Sequence, residues 1–240
     1  MARKMAEAGK RSRRGVFALG GGLAAIAAGW QWLGVRPEDL DFRAIEGAPG
    51  WEVAIAGSFT GVSGDALLFF GLNAEARPSP LAQDDLEPVL YGDSVSQLAV
   101  FSDFFCPYCR GLTLHLMQWE RQGLRVHWHE LPRLGPASVV VARASVAADF
   151  QGGYAPFYQR LMRGTFRPTA RHMRAVAETA GLDGKRLQAD MESEAVARRL
   201  EQSAAAAARL GLFATPALVV GKRAIIGEVE PDLIETLLSR

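Results

Sequence analysis

Two cysteines are the whole thiol complement of this 240-residue chain, and only two residues separate them, in Cys106-Pro107-Tyr108-Cys109. Sulfurs at that spacing support two kinds of chemistry. A close dithiol can open and close as a disulfide, and a pair of thiolates can share a metal ion. A structural staple is a poor third use, because the bridge would close a loop too short to restrain the unfolded chain. Zinc usually wants four ligands, and His127 and His129, on one face of one strand, would formally complete a Cys2His2 set. A lone Cys-x-x-Cys inside a strand–helix–strand pattern instead reads as redox. On that reading His127 and His129 are solvent-facing strand residues, and His115 and His172 lie on helix surfaces.

The surrounding elements decide how reactive the pair is. Gln97 to Phe105 is a dense apolar and aromatic run, as in a buried strand. A helix is expected directly after Cys106, with Leu112, Leu116 and Trp119 on one face. Cys106 then lies at the helix N-terminus, beside unpaired N–H groups and the positive end of the dipole, where a thiolate is stabilised. Pro107 loses no hydrogen bond in the first turn. Cys109 lies one turn in, shielded from solvent and able to reach back. Cys106 is therefore the attacking thiol and Cys109 the resolving one. Far along the chain, Thr215-Pro216 precedes a short apolar strand. An X-Pro bond there is a candidate cis peptide, which would leave the Thr215 N–H and C=O for a partner strand.

Other segments fill in an α/β architecture. Leu124, Val126 and Trp128 alternate with Arg125, His127 and His129, a strand pattern of period two. Helical segments are expected over 138–150, 154–163, 168–181 and 184–210. Short strands at 216–220 and 224–227 form a hairpin across Gly221-Lys222-Arg223, and 231–238 closes the chain as a helix. Trp119 and Trp128 are expected in the core, and Tyr154, Phe157 and Tyr158 pack the helical block. Residues 36–92 form an N-terminal extension and linker. There, 51–55 and 66–70 suggest a small hairpin turning at Gly61 to Gly64, and the prolines after Asn73 mark the linker.

Composition sets the remaining bounds. With 49% hydrophobic and 22% charged residues, an ordinary core is available, and neither wholesale disorder nor a multi-span membrane protein fits. The net charge of +1 averages two unlike pieces. Residues 1–14 hold six basic residues against Glu7 alone, so the remainder is net acidic and offers no basic body for nucleic acid. An uncharged run of 21 residues, Gly15 to Val35, follows. That is the layout of an export signal. Ser12-Arg13-Arg14-Gly15-Val16-Phe17 resembles a twin-arginine signal. Ala25-Ile26-Ala27 offers a cleavage site, while Trp30 and Trp32 would suit an uncleaved membrane anchor over residues 1–35.

Taken together, Phe104-Phe105-Cys106-Pro107-Tyr108-Cys109, Leu131 to Ser138, and Gly211 to Pro216 resemble the thioredoxin superfamily. More narrowly they resemble its DsbA-like branch, a thioredoxin fold with an inserted helical domain. The likeness spans about 93–240, with the insertion at about 136–210. It implies an exported protein thiol–disulfide oxidoreductase of the bacterial periplasm, soluble or tethered to the inner membrane. Cys106 would exchange with client cysteines through a mixed disulfide, while Thr215 and Pro216 hold the client segment. The resemblance implies no cofactor beyond the Cys106–Cys109 disulfide, and a membrane partner that reoxidises or reduces it. Asp103 is either a proton-moving carboxylate for the resolving cysteine or a strand-end carboxylate facing water. Two departures stand out: Tyr108, where strongly oxidising members usually carry His, and Ala214, where Gly is expected. Pro107 and Tyr108 tune the thiolate, so a reductase or isomerase stays open, as does a copper- or zinc-binding module. Residues 36–92 have no counterpart in the minimal fold.

Overall fold

The structure, a computed structural model, describes residues 37–61, 80–92, 98–163 and 167–239. The export or anchor segment expected at 1–35 lies outside the described residues. So does the second strand of the hairpin expected at 66–70.

The apolar run becomes β4 (Leu98–Ser102), buried along its whole length. Its side chains alternate between two cores, Leu98 and Val100 into one, Ala99 and Phe101 into the other. A strand covered on both faces reads as a continuous apolar run rather than an alternation. β5 (His127–Glu130) lies parallel to β4 on one side, and β7 (Ala217–Val220) antiparallel on the other. β8 (Arg223–Ile226) folds back on β7. Residues 52–55 join the same sheet. They are β2 (Glu52–Ile55), which runs parallel to β8 and antiparallel to β1 (Arg43–Ala44). The sheet order is β1-β2-β8-β7-β4-β5. Part of the N-terminal extension is thus built into the sheet, and Trp51 is buried beneath it.

Eight α-helices are present among the described residues. They are α1 (Leu86–Tyr91), α2 (Pro107–Glu120), α3 (Pro136–Asp149), α4 (Tyr154–Met162), α5 (Ala170–Thr179), α6 (Gly184–Asp190), α7 (Glu194–Arg209) and α8 (Pro231–Leu238). Helices α2 to α8 pack one core, to which α7 gives Val196 and Leu200 and where Trp128 stacks on Tyr154. The other core lies under α1 and α7, where Ala204, Ala206 and Ala207 meet Phe101 and Val219. The α/β class and the βαβ, helical block, ββα order follow the sequence reading.

Two local expectations are corrected. The helix expected over 184–210 is two helices, because Ser193 caps a new one by accepting from the Val196 N–H at 3.2 Å. His129 does not face solvent: it is 1% exposed. Its ring stacks on Phe101 at 4.7 Å, and its nitrogens lie 3.1 Å from Ser203 Oγ and the Leu90 carbonyl. The period-two pattern placed it on the outer face, but α1 and α7 cover that face. Burial lowers its pKa to about 3, so the ring is neutral. His127 is half-buried.

Candidate active site

Helix α2 starts where the proline predicts. Pro107 is its first residue, and Cys106 is the cap, its sulfur accepting from the Cys109 N–H at 3.3 Å. From the opposite side comes β6 (Ala214–Thr215), followed by a cis peptide bond between Thr215 and Pro216. The Cys106 thiol donates to the Thr215 carbonyl at 3.3 Å. The structure therefore brings together Cys106, Cys109, Thr215 and Pro216 from distant parts of the chain. Both cysteines are free thiols, 0% and 1% exposed. Pro107 is exposed and Tyr108 half-buried beside them.

The two sulfurs titrate in opposite directions. The hydrogen bond from Cys109 does most to lower the Cys106 pKa, to about 6, with smaller help from Thr60, Thr215 and the Cys109 N–H and against the cost of burial. Burial, more than the bond to Cys106, pushes the Cys109 thiol well above its ordinary range. One sulfur is thus a thiolate near neutrality while the other keeps its proton. In the reduced protein, thiolate absorbance should rise with a midpoint near pH 6 for Cys106 alone. A midpoint near the ordinary value of roughly 8.5 would contradict this geometry. The sign for stability follows. The unfolded thiol holds its proton longer, so Cys106 adds stability to the reduced fold at higher pH and loses it as pH falls through about 6.

Asp103 does not face water: it is 1% exposed. Its Oδ2 accepts from the Arg133 N–H at 2.7 Å and the Leu134 N–H at 3.1 Å. Its Oδ1 accepts from the Phe105 N–H and the Ser138 hydroxyl, both at 2.9 Å. The carboxylate is a clamp that ties the end of β4 to the loop before α3. The Asp103 carbonyl also accepts from the Cys106 N–H at 3.0 Å, which seats Cys106 at the helix start.

His127 and His129 do not join the cysteines. Among the described residues, no three His, Cys, Asp or Glu side chains converge as a metal ion would require. Sequence reasoning passed over Glu130. It lies opposite Ser102 in the β4–β5 register and accepts from the Tyr154 hydroxyl at 2.8 Å. Burial outweighs that bond and pushes its pKa up to about 8, so the carboxyl holds a proton at neutrality. Its position at the end of a strand, just before Leu131-Pro132, was the available signal.

Sequence reasoning also missed β3 (Thr60–Gly61), which pairs antiparallel with β6, Thr60 opposite Thr215 and Gly61 opposite Ala214. That pairing sets Thr60 opposite the residue whose carbonyl accepts from the Cys106 thiol, and Thr60 helps to lower the Cys106 pKa.

Comparison with known proteins agrees with this architecture. The model of the DSBA-like thioredoxin domain matches residues 110–239, starting directly after Cys109. A thioredoxin-like oxidoreductase from Silicibacter pomeroyi DSS-3 is similar, at 30% identity and TM-score 0.57, over 66% of this chain and 97% of that one. The thiol–disulfide exchange protein alpha-DsbA2 from Wolbachia pipientis shares the fold, at TM-score 0.58 and 17% identity, over 65% of this chain and 90% of that one. A curated relative, the Na(+)/H(+) antiporter NhaA of Herminiimonas arsenicoxydans, is 30% identical over 154 residues. That match covers 61% of this chain but only 24% of the antiporter, so the chain spans about a quarter of the curated relative. A helical block set between β5 and β7 of a thioredoxin-type sheet, matched by the family model over more than half its length, makes this chain a member of the DSBA-like thioredoxin domain family.

Proposed function

We propose that this chain is an exported protein thiol–disulfide oxidoreductase that donates its Cys106–Cys109 disulfide to client cysteines in the bacterial periplasm. Family membership and the oxidoreductase relative from Silicibacter pomeroyi support the activity. The N-terminal sequence supports export. One observation carries the site assignment: Cys106 caps helix α2, with its pKa lowered, beside a buried Cys109 whose pKa is raised.

A client thiolate attacks Cys106 Sγ, the Cys106–Cys109 bond breaks, and Cys109 leaves and takes up a proton. The client and Cys106 now share a mixed disulfide. A second client thiolate attacks the client sulfur, and Cys106 departs as a stabilised thiolate. The client has lost two electrons and the enzyme is a dithiol. A membrane redox partner then removes those electrons. Thr215 and Pro216 hold the client backbone beside Cys106 during both attacks.

A stabilised reduced form makes a disulfide more oxidising. Equilibration with glutathione should therefore give a potential above roughly −200 mV. A value below roughly −250 mV would make the protein a reductase and sink the donor direction.

A further inference from the structure

A nucleophile that exchanges with clients must be reached by them, and reactive cysteines are ordinarily part-exposed. Cys106 is 0% exposed. Part of its cover is the chain's own backbone. After β2, the Ala56 N–H donates to the Ile226 carbonyl at 2.8 Å and the Glu228 N–H to the Ser58 carbonyl at 2.8 Å. The two strands cross at Gly57 and Gly227, where an added Cβ would lie 2.0 Å from a backbone oxygen of the other segment. That glycine crossing routes 58–61 away from the sheet and onto β6.

We propose that Phe59-Thr60-Gly61 is a built-in pseudo-client: it occupies the strand position a client takes against Ala214–Thr215, and Thr60 stands where the client's cysteine must sit. This rests on the assignment of Thr215 and Pro216 as the client strand's partner. Three features support it. The β3–β6 pairing is antiparallel, as in strand addition, with Thr60 directly opposite Thr215. Thr60 carries its oxygen on Cβ as a cysteine carries its sulfur, and Thr215, the residue opposite it, accepts from the Cys106 thiol at 3.3 Å. The fit is also a releasable one. The pairing is two residues long, against four in β4–β7.

The segment then reports what the groove accepts. Before the cysteine position, Phe59 meets Phe213 edge-on at 5.6 Å, and both rings are more than a third exposed. After it, a Cβ at Gly61 would lie 2.9 Å from the Ala214 Cβ, so a small residue is required. The preferred client is an extended aromatic-cysteine-glycine segment, which must displace 59–61 to bind.

The test combines Thr60→Cys with Cys109→Ser in the full chain, treated with dipyridyl disulfide. Cys106 thiolate attacks the reagent and releases one thiopyridone. The introduced thiol then attacks Cys106 Sγ and releases a second. Expected are two thiopyridones per chain, a monomer, and a peptide map linking positions 60 and 106, formed at least about tenfold faster than with Ser58→Cys plus Cys109→Ser. Persistent pyridyl adducts, dimers, or a rate equal to that control would overturn the placement. In a second arm, Gly61→Val should speed both alkylation of Cys106 and exchange with a Ser-Phe-Cys-Gly peptide about tenfold. Slower peptide exchange with unchanged alkylation would mean that the segment completes the site rather than occupying it. The site assignment fails separately, if Cys106→Ser keeps exchanging disulfides.

Discussion

Cys106→Ser should abolish disulfide transfer, with the rate falling on the order of 10³-fold or more. A serine at the helix cap can still accept from the Cys109 N–H, so the fold persists and the loss is chemical. No hydroxyl at that place ionises near neutrality or forms a mixed disulfide. Cys109→Ser should behave differently. Its Cys106 keeps attacking but has no internal resolver, so client mixed disulfides accumulate. Oxidation of a reduced, unfolded cysteine protein measures the first effect, and non-reducing gels the second. If Cys106→Ser retained more than about a tenth of the wild-type rate, the nucleophile would lie elsewhere.

Asp103→Ala should cost about 3–5 kcal/mol of stability, the largest effect expected away from the cysteines. Four donors converge on this carboxylate, three of them backbone N–H groups, and the variant removes their shared acceptor, two of the four, the Arg133 N–H and the Ser138 hydroxyl, being buried. Asp103→Asn should recover only part of the loss. Its amide has one acceptor oxygen, and its NH2 group must face donors. Urea unfolding of the reduced proteins gives the comparison. A change below about 1 kcal/mol would show that other contacts hold the loop before α3.

The chain keeps its only two cysteines in the one motif, although an oxidising compartment would permit structural bridges. A protein that trades disulfides has reason to carry no spare thiols that could mispair.

Much of the site was legible because its signals are local. Pro107 after Cys106 set the helix start, and the apolar run from Gln97 to Phe105 set the strand that presents it. The helical block was legible from its glycine breaks, but Ser193 was not read as a cap because alanine-rich periodicity continues through it. His129, Asp103 and Glu130 were misjudged or missed for a shared reason. Each is polar, and a period-two pattern places polar residues outward. Their burial depends on helices packing both faces of β4 and β5.

By itself the sequence determined the Cys106-Pro107-Tyr108-Cys109 helix start, the strand–helix–strand run before the helical block and the hairpin and helix after it, and the Thr215-Pro216 turn. Each rests on backbone stereochemistry or short-range periodicity, which a linear reading can follow. Only the tertiary structure decided that Asp103 is a clamp, that Glu130 holds a proton and that Thr60 pairs with Thr215 beside Cys106. The pairing of Thr60 with Thr215 joins two residues from opposite ends of the chain through a two-residue bridge. So short a contact leaves no periodic trace. It exists because the Gly57–Gly227 crossing steers the backbone there, and that close approach is visible only once the sheet has formed.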